Sequence, residues 1–278
     1  MSKVLLWLNH TNGSLDRLSL KGLPQALLLD PECTGLLMDA GADVIAEALE
    51  FLPQLIPVQS DTKGDLLPEQ IALIINELIS LHGYTHIMAT HGELAMASLP
   101  RAAALCGAAC LSGVTHVHSS TRFSRDILAG NAGVITTSHA PVTCIILRDT
   151  HLTTPQKPAQ RGRIITTHLV TPSFPGTSIT SRSVTERKGP SLSTARIVIG
   201  IGRGVGDVDT LPPSIAKLAG RLGAAIGATR ATCDSGLFPG DLQIGQTGRI
   251  IARWIEVPFS DIRIGRTGDK DLQSAVYG

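Results

Sequence analysis

The stretch from Ala195 to Gly206, ARIVIGIGRGVG, leaves little freedom in how the chain around it can fold. Its first half is a run of β-branched residues that reads as a strand, and its second half is a glycine loop. From about Pro213 to Gly223 the period changes to that of a helix. Pro212 and Pro213 suit a first turn, and Ile215, Leu218, Ala219 and Leu222 are the expected inner face. A very short apolar step then reaches Thr229 and Arg230, where the second strand of a βαβ unit would end. Strand, glycine loop, helix and strand in that order predict an α/β fold with a largely parallel sheet.

The rest of the chain alternates in the same way. KVLLWLNH reads as a first strand, and GADVIAEALEFL and PEQIALIINELISLHG read as helices with apolar residues three and four apart. YTHIMATHG is a short buried strand running into a turn, and ELAMASLPRAAALCGAA is a helix interrupted by Pro100. From SGVTHVHS to APVTCIILRD the period falls to two, which predicts several strands. A possible strand at 163–170 is followed by an aperiodic stretch at about 171–192, the best linker candidate. The expected division is therefore 1–190, an amino-terminal α/β domain with the linker, and 191–278, a second domain.

Composition excludes some functions. With 43% apolar residues, 17% charged residues and only 3% aromatics, the chain predicts a globular protein with an aliphatic core. A net charge of +1 offers no basic surface for nucleic acid. No apolar run is long enough to span a membrane, and no basic presequence precedes KVLLWL, so a cytoplasmic, prokaryotic protein is expected. The five cysteines are odd in number, which predicts reduced thiols; Cys106 and Cys110, four apart, would share one face of a helix.

Three segments could carry chemistry. GIGRGVGD, from Gly200 to Asp207, can bring backbone amides close to a phosphate, and Arg203 within it favours an anionic ligand. Valine at 205 breaks the dinucleotide fingerprint, so a plain strand–helix turn stays open beside the phosphate loop. GATRATCDSG would set Thr229 and Arg230 at the carboxyl end of a parallel strand, where open sheets bind ligands. In QIGQTGRIIA, Gly245 and Gly248 flank Gln246 and Thr247, a polar turn able to present an amide and a hydroxyl to one ligand face before RIIA resumes as a strand. His116 and His118 have a strand-type ligand spacing, but no third ligand accompanies them. His91 and Glu93 stand in a loop without a catalytic partner, and no nucleophile–base pair is evident.

In this order, LSTARIVIGIGRG, LGAAIGATRATCDSG and PGDLQIGQTGRIIA resemble the alpha subunit of electron transfer flavoproteins, as do VLLWLNHTNGSL, SLPRAAALCGA and RDILAGNAG earlier in the chain. The resemblance covers residues 3–252. It implies an amino-terminal Rossmann-like α/β domain followed by a doubly wound FAD-binding domain. It also implies a heterodimer with a beta subunit that accepts electrons from flavin dehydrogenases and passes them to a membrane quinone reductase or another acceptor. By position, Arg203, Thr229, Arg230, Ile244, Gly245, Gln246 and Thr247 would contact FAD. Arg230 would stabilise the reduced, anionic flavin and raise its potential, and Thr247 would hydrogen-bond the redox-active edge. Such a chain is an electron carrier without a substrate of its own. The other readings are a nucleotide-binding α/β enzyme using residues 200–206 for a phosphate, and a flavin-free scaffold subunit.

After Ala252 the resemblance is lost. Eight of the last 26 residues are charged, and three of the nine aromatics of the chain fall there. This end reads as divergent or truncated. It predicts an incomplete doubly wound sheet with an open apolar edge, and weakened FAD binding.

Overall fold

The computed structural model describes residues 2–60, 65–128, 132–148, 197–202, 213–244, 254–259 and 262–266 as continuous runs, with shorter ones between 152 and 195; for 254–259, 262–266 and Ser214 the description is of the backbone. The chain divides into two compact units, Met1–Ile127 with Gly133–Arg182, and Leu128–Ala132 with Ser183–Gly278.

In the first unit, β1 (Val4–Trp7) leads into a small hairpin, β2 (His10–Thr11) and β3 (Ser14–Leu15). There follow α1 (Arg17–Leu20), α2 (Leu23–Leu29), β4 (Thr34–Met38), α3 (Ala42–Ala48), β5 (Gln54–Val58), α4 (Pro68–His82) and β6 (His86–Thr90). Then come α5 (Glu93–Cys106), β7 (Ala109–Val117), β8 (Arg122–Ile127), β9 (Ala132–Thr137), β10 (Thr143–Leu147) and β11 (Arg163–Ile164). Nine of these strands form one sheet in the order β11-β5-β4-β1-β6-β10-β7-β8-β9. The pairings from β11 to β7 are parallel and β7 meets β8 antiparallel.

Side chains alternate across a strand, so a sheet covered on both faces must be apolar at every position. The first strand shows this directly. Val4, Leu6 and Leu8 join one aliphatic core, while Leu5 and Trp7 join the core on the opposite face. Of the helices, α4 matches its expected span. Pro68 opens it and Gly83, at φ +69, closes it in the left-handed conformation.

Helix α5 differs from expectation, because it runs unbroken through Pro100. Pro100 lies on the exposed face, where water can satisfy the carbonyl that loses its amide partner. Cys106 and Cys110 do not share a helix face. The helix ends at Cys106, Gly107 turns the chain at φ +65, and Cys110 enters β7 opposite Cys144 of β10. The cysteines are all free thiols, and burial pushes Cys33 up to about 12 and Cys144 higher still. Among the described residues the possible strand at 163–170 is confined to Arg163–Ile164, and most of the linker candidate lies outside them.

The second unit contains β12 (Ile197–Ile201), α6 (Pro213–Leu222), β13 (Ala225–Thr229), α7 (Arg230–Asp234), β14 (Gln243–Ile244), β15 (Trp254–Phe259) and β16 (Ile262–Arg266). The expected βαβ unit is present, since β12 and β13 pair in parallel around α6. Again the strand is buried on both faces, with Val198 in one core and Ile199 and Ile201 in the other. On α6 only part of the expected inner face is inside. Ile215 and Ala219 are buried, whereas Leu218 and Leu222 are about 40% exposed. A pair four residues apart covers this short sheet, and the stripe beside it lies beyond the sheet's reach.

The sheet order is β14-β13-β12-β16-β15. Strand β16 pairs antiparallel with β12 from Ile197↔Arg266 to Ile201↔Ile262, and β15 pairs antiparallel with β16. Residues after Ala252 thus take the place beside β12, and the sheet ends at β15. Among the described residues no helix is long and apolar enough to cross a membrane.

Candidate functional site

Three parallel strands of the second unit end at one edge. Ile201 of β12 pairs with Ala228 of β13, and Thr229 pairs with Ile244 of β14. The carboxyl ends of these strands are where an open parallel sheet binds ligands. Thr229, Arg230 and Ile244 are therefore brought together by register. The expected contacts Arg203, Gly245, Gln246 and Thr247 lie outside the described residues, as does the predicted strand RIIA. Position 203 follows the end of β12 by two residues and 245 directly follows β14.

Arg230 opens α7 and its Nε donates to Asp234 Oδ2 at 3.1 Å, one helical turn on. Both side chains are about 60% exposed, so the pair contributes roughly 0.3–0.5 kcal/mol. Ile244 behaves differently. Its side chain is buried with Leu192, Ala195, Val198 and Ala225, so only its backbone is available at the edge. Gly227 makes room for it: a Cβ there would stand 2.7 Å from Ile244 Cγ2 and 3.1 Å from Leu192 Cδ2.

Thr229 caps α7 in extended conformation, yet its hydroxyl bonds no backbone amide of the helix. It lies 2.8 Å from the hydroxyl of Thr232, which in turn donates to the Ile201 carbonyl at 3.4 Å. Thr232 is fully buried. This hydroxyl joins the ends of β12 and β13, and no sequence motif marks it. It sits in a short helix 31 residues from its carbonyl partner.

Other candidates resolve simply. The rings of His116 and His118 are 4.7 Å apart and His118 Nε2 meets Ser124 Oγ at 2.6 Å; no group of three metal-ligating side chains exists among the described residues. His91 follows β6 and hydrogen-bonds the Leu147 carbonyl through its backbone, and Glu93 starts α5. These are structural positions at the β6–α5 junction.

Comparison with known proteins agrees with this layout. The electron transfer flavoprotein domain matches residues 4–171, more than half of the chain, and the electron transfer flavoprotein FAD-binding domain matches residues 191–258. The probable mitochondrial electron transfer flavoprotein subunit alpha of Caenorhabditis elegans is 30% identical over 271 residues, covering 96% of this chain and 80% of the relative. The electron transfer flavoprotein subunit alpha of Pseudomonas aeruginosa is 31% identical over 253 residues, and that of Paracoccus denitrificans 32% over 258, each covering 90% of this chain and 80% of the relative. The FAD-binding match continues to residue 258, six residues past Ala252, and takes in β12, β13 and β14 with the edge they share. The chain belongs to the electron transfer flavoprotein alpha-subunit family.

Proposed function

We propose that this chain carries electrons on FAD held by residues 191–278, in a heterodimer with a beta subunit, between flavin dehydrogenases and a quinone reductase or similar acceptor. The observation that supports this best is the convergence of β12, β13 and β14, whose register brings Thr229, Arg230 and Ile244 to one edge. The donor set there suits the cofactor. An exposed guanidinium offers charge to a pyrophosphate or to an electron-rich ring, and a hydroxyl and a strand-end backbone offer directional bonds. FAD supplies the redox chemistry, and the protein residues bind and orient it. In this reading Arg203, Gly245, Gln246 and Thr247 complete the set from the loops after β12 and β14, and Ile244 contributes through its backbone.

Residues 1–190 form the scaffold of the pair, and the absence of a nucleophile or acid–base constellation from the motifs accords with a carrier. Membership of this family sets aside the nucleotide-binding enzyme. A prokaryotic cytoplasmic setting is the expected one; bacterial and mitochondrial relatives are equally similar, and fractionation of the native host tests it. For the main reading, the chain is co-produced with a beta subunit and its absorbance recorded after extensive dialysis. A flavin band is expected, below one FAD per heterodimer because the end after Ala252 predicts weakened binding. A stable but colourless heterodimer would instead identify the flavin-free scaffold.

A further inference from the structure

The hydroxyl chain behind the strand edge fixes the direction of a hydrogen bond at its front. A backbone carbonyl can only accept, so Thr232 spends its single hydroxyl proton on Ile201. The 2.8 Å contact between the two threonine hydroxyls allows either to donate; with the Thr232 proton on the Ile201 carbonyl, 3.4 Å away, Thr229 is the donor. In that arrangement the single hydroxyl proton of Thr229 points back into the protein. Its lone pairs are not taken by the helix it caps, since no backbone amide of α7 bonds it. Thr232 is completely buried, so water does not compete for the relay, whereas Thr229 stands exposed at the ligand edge.

We propose that Thr232 is a positioning residue that turns the Thr229 hydroxyl into an acceptor-only group toward FAD. This rests on the reading of the strand edge as the flavin site. Its consequence is specific. With the relay intact, Thr229 presents a lone pair to the cofactor and can bond an N–H of the flavin or a ribityl hydroxyl, but it cannot donate to the electron-rich ring that appears on reduction. Without the relay, the Thr229 proton is free to rotate outward. A new donor at the ring favours the reduced cofactor, so the midpoint potential rises.

The test uses the full chain with its beta subunit and FAD as the probe, comparing the natural protein with Thr232→Val and Thr232→Ser. Valine keeps the shape of threonine and removes the hydroxyl, and serine keeps the hydroxyl. The expected result is a raised flavin midpoint potential in Thr232→Val, an unchanged one in Thr232→Ser, and loss of the rise when Thr229→Val is added to Thr232→Val. A lower melting temperature with the same potential in Thr232→Val would overturn the proposal and leave Thr232 a purely structural residue. So would a Thr232→Ser protein that behaves like the valine variant. Absence of FAD from the natural heterodimer would instead refute the flavin-site reading beneath it, so the two failures are distinct.

Discussion

The tight fit of Gly227 beneath Ile244 makes a quantitative prediction about the site. In Gly227→Ala the new methyl would lie 2.7 Å from Ile244 Cγ2, about 1 Å inside ordinary carbon–carbon contact, and 3.1 Å from Leu192 Cδ2. Ile244 is 5% exposed and cannot swing into solvent without leaving its core. Overpacking of this kind costs about 1–3 kcal/mol. The strain falls on β14, a strand of two residues whose register to β13 is Ala228↔Gln243 and Thr229↔Ile244. Opening of that pairing should therefore become roughly 5- to 150-fold more frequent. Hydrogen exchange at the amides of β13 and β14, with the amides of β1 and β6 as an internal reference, reads this directly. FAD affinity should weaken in step, because residue 245 follows β14 immediately. Ile244→Ala alone removes buried methyl groups and should cost about 2–5 kcal/mol. In the double variant Gly227→Ala/Ile244→Ala the clash disappears, and the two costs should fall short of additivity by about 1 kcal/mol or more. Exchange unchanged in Gly227→Ala, or additive costs in the double variant, would refute the packing argument.

Two further outcomes follow from the same coordinates. Arg230→Ala should lower the flavin midpoint potential, since it removes a cation from the edge, while Asp234→Asn, which deletes the carboxylate 3.1 Å from Arg230, should raise it; spectroelectrochemical titration measures both, and an unmoved potential in Arg230→Ala would count against its role. Burial holds the His86 imidazole below its ordinary range, against the opposing pull of the Ser120 carbonyl 2.8 Å from Nε2. As pH falls below about 6.5 the unfolded chain takes up a proton that the native chain refuses, so stability should drop with acidification, by at most about 1.4 kcal/mol per pH unit for this group. Melting temperatures between pH 7.5 and 5.5 should fall less steeply in His86→Asn.

Much of the architecture was legible because two periods are hard to confuse. ARIVIGI and PSIAKLAGRL differ in spacing, and together they specify a parallel pair with a crossover helix. The site was legible only in part. Thr229 and Arg230 stand out in sequence because they follow a strand, whereas Thr232 matters through a carbonyl that tertiary folding brings to it. Leu218 and Leu222 fit a helical stripe as well as Ile215 and Ala219 do, but a stripe records where apolar residues lie and not how wide the facing sheet is. Pro100 illustrates the converse. A local rule predicts a break, and exposure of that face removes the reason for one. The pairing of β16 with β12 had no local signature, since strand partners distant in sequence share no motif.

That last pairing has a consequence for how the chain is made. Strand β12 is hydrogen-bonded on one side to β13, which follows it within about 30 residues, and on the other to β16, with Ile201 opposite Ile262. During synthesis the first partner arrives early and the second only about 60 residues after β12, an interval of roughly 3–12 s at ordinary translation rates. Throughout that interval one flank of an apolar strand is unclaimed, and any exposed strand nearby can take it. Closure of the unit on that flank therefore waits for β16, and a chaperone that shields β12 during those seconds would raise the yield of correctly closed chains without altering the finished protein.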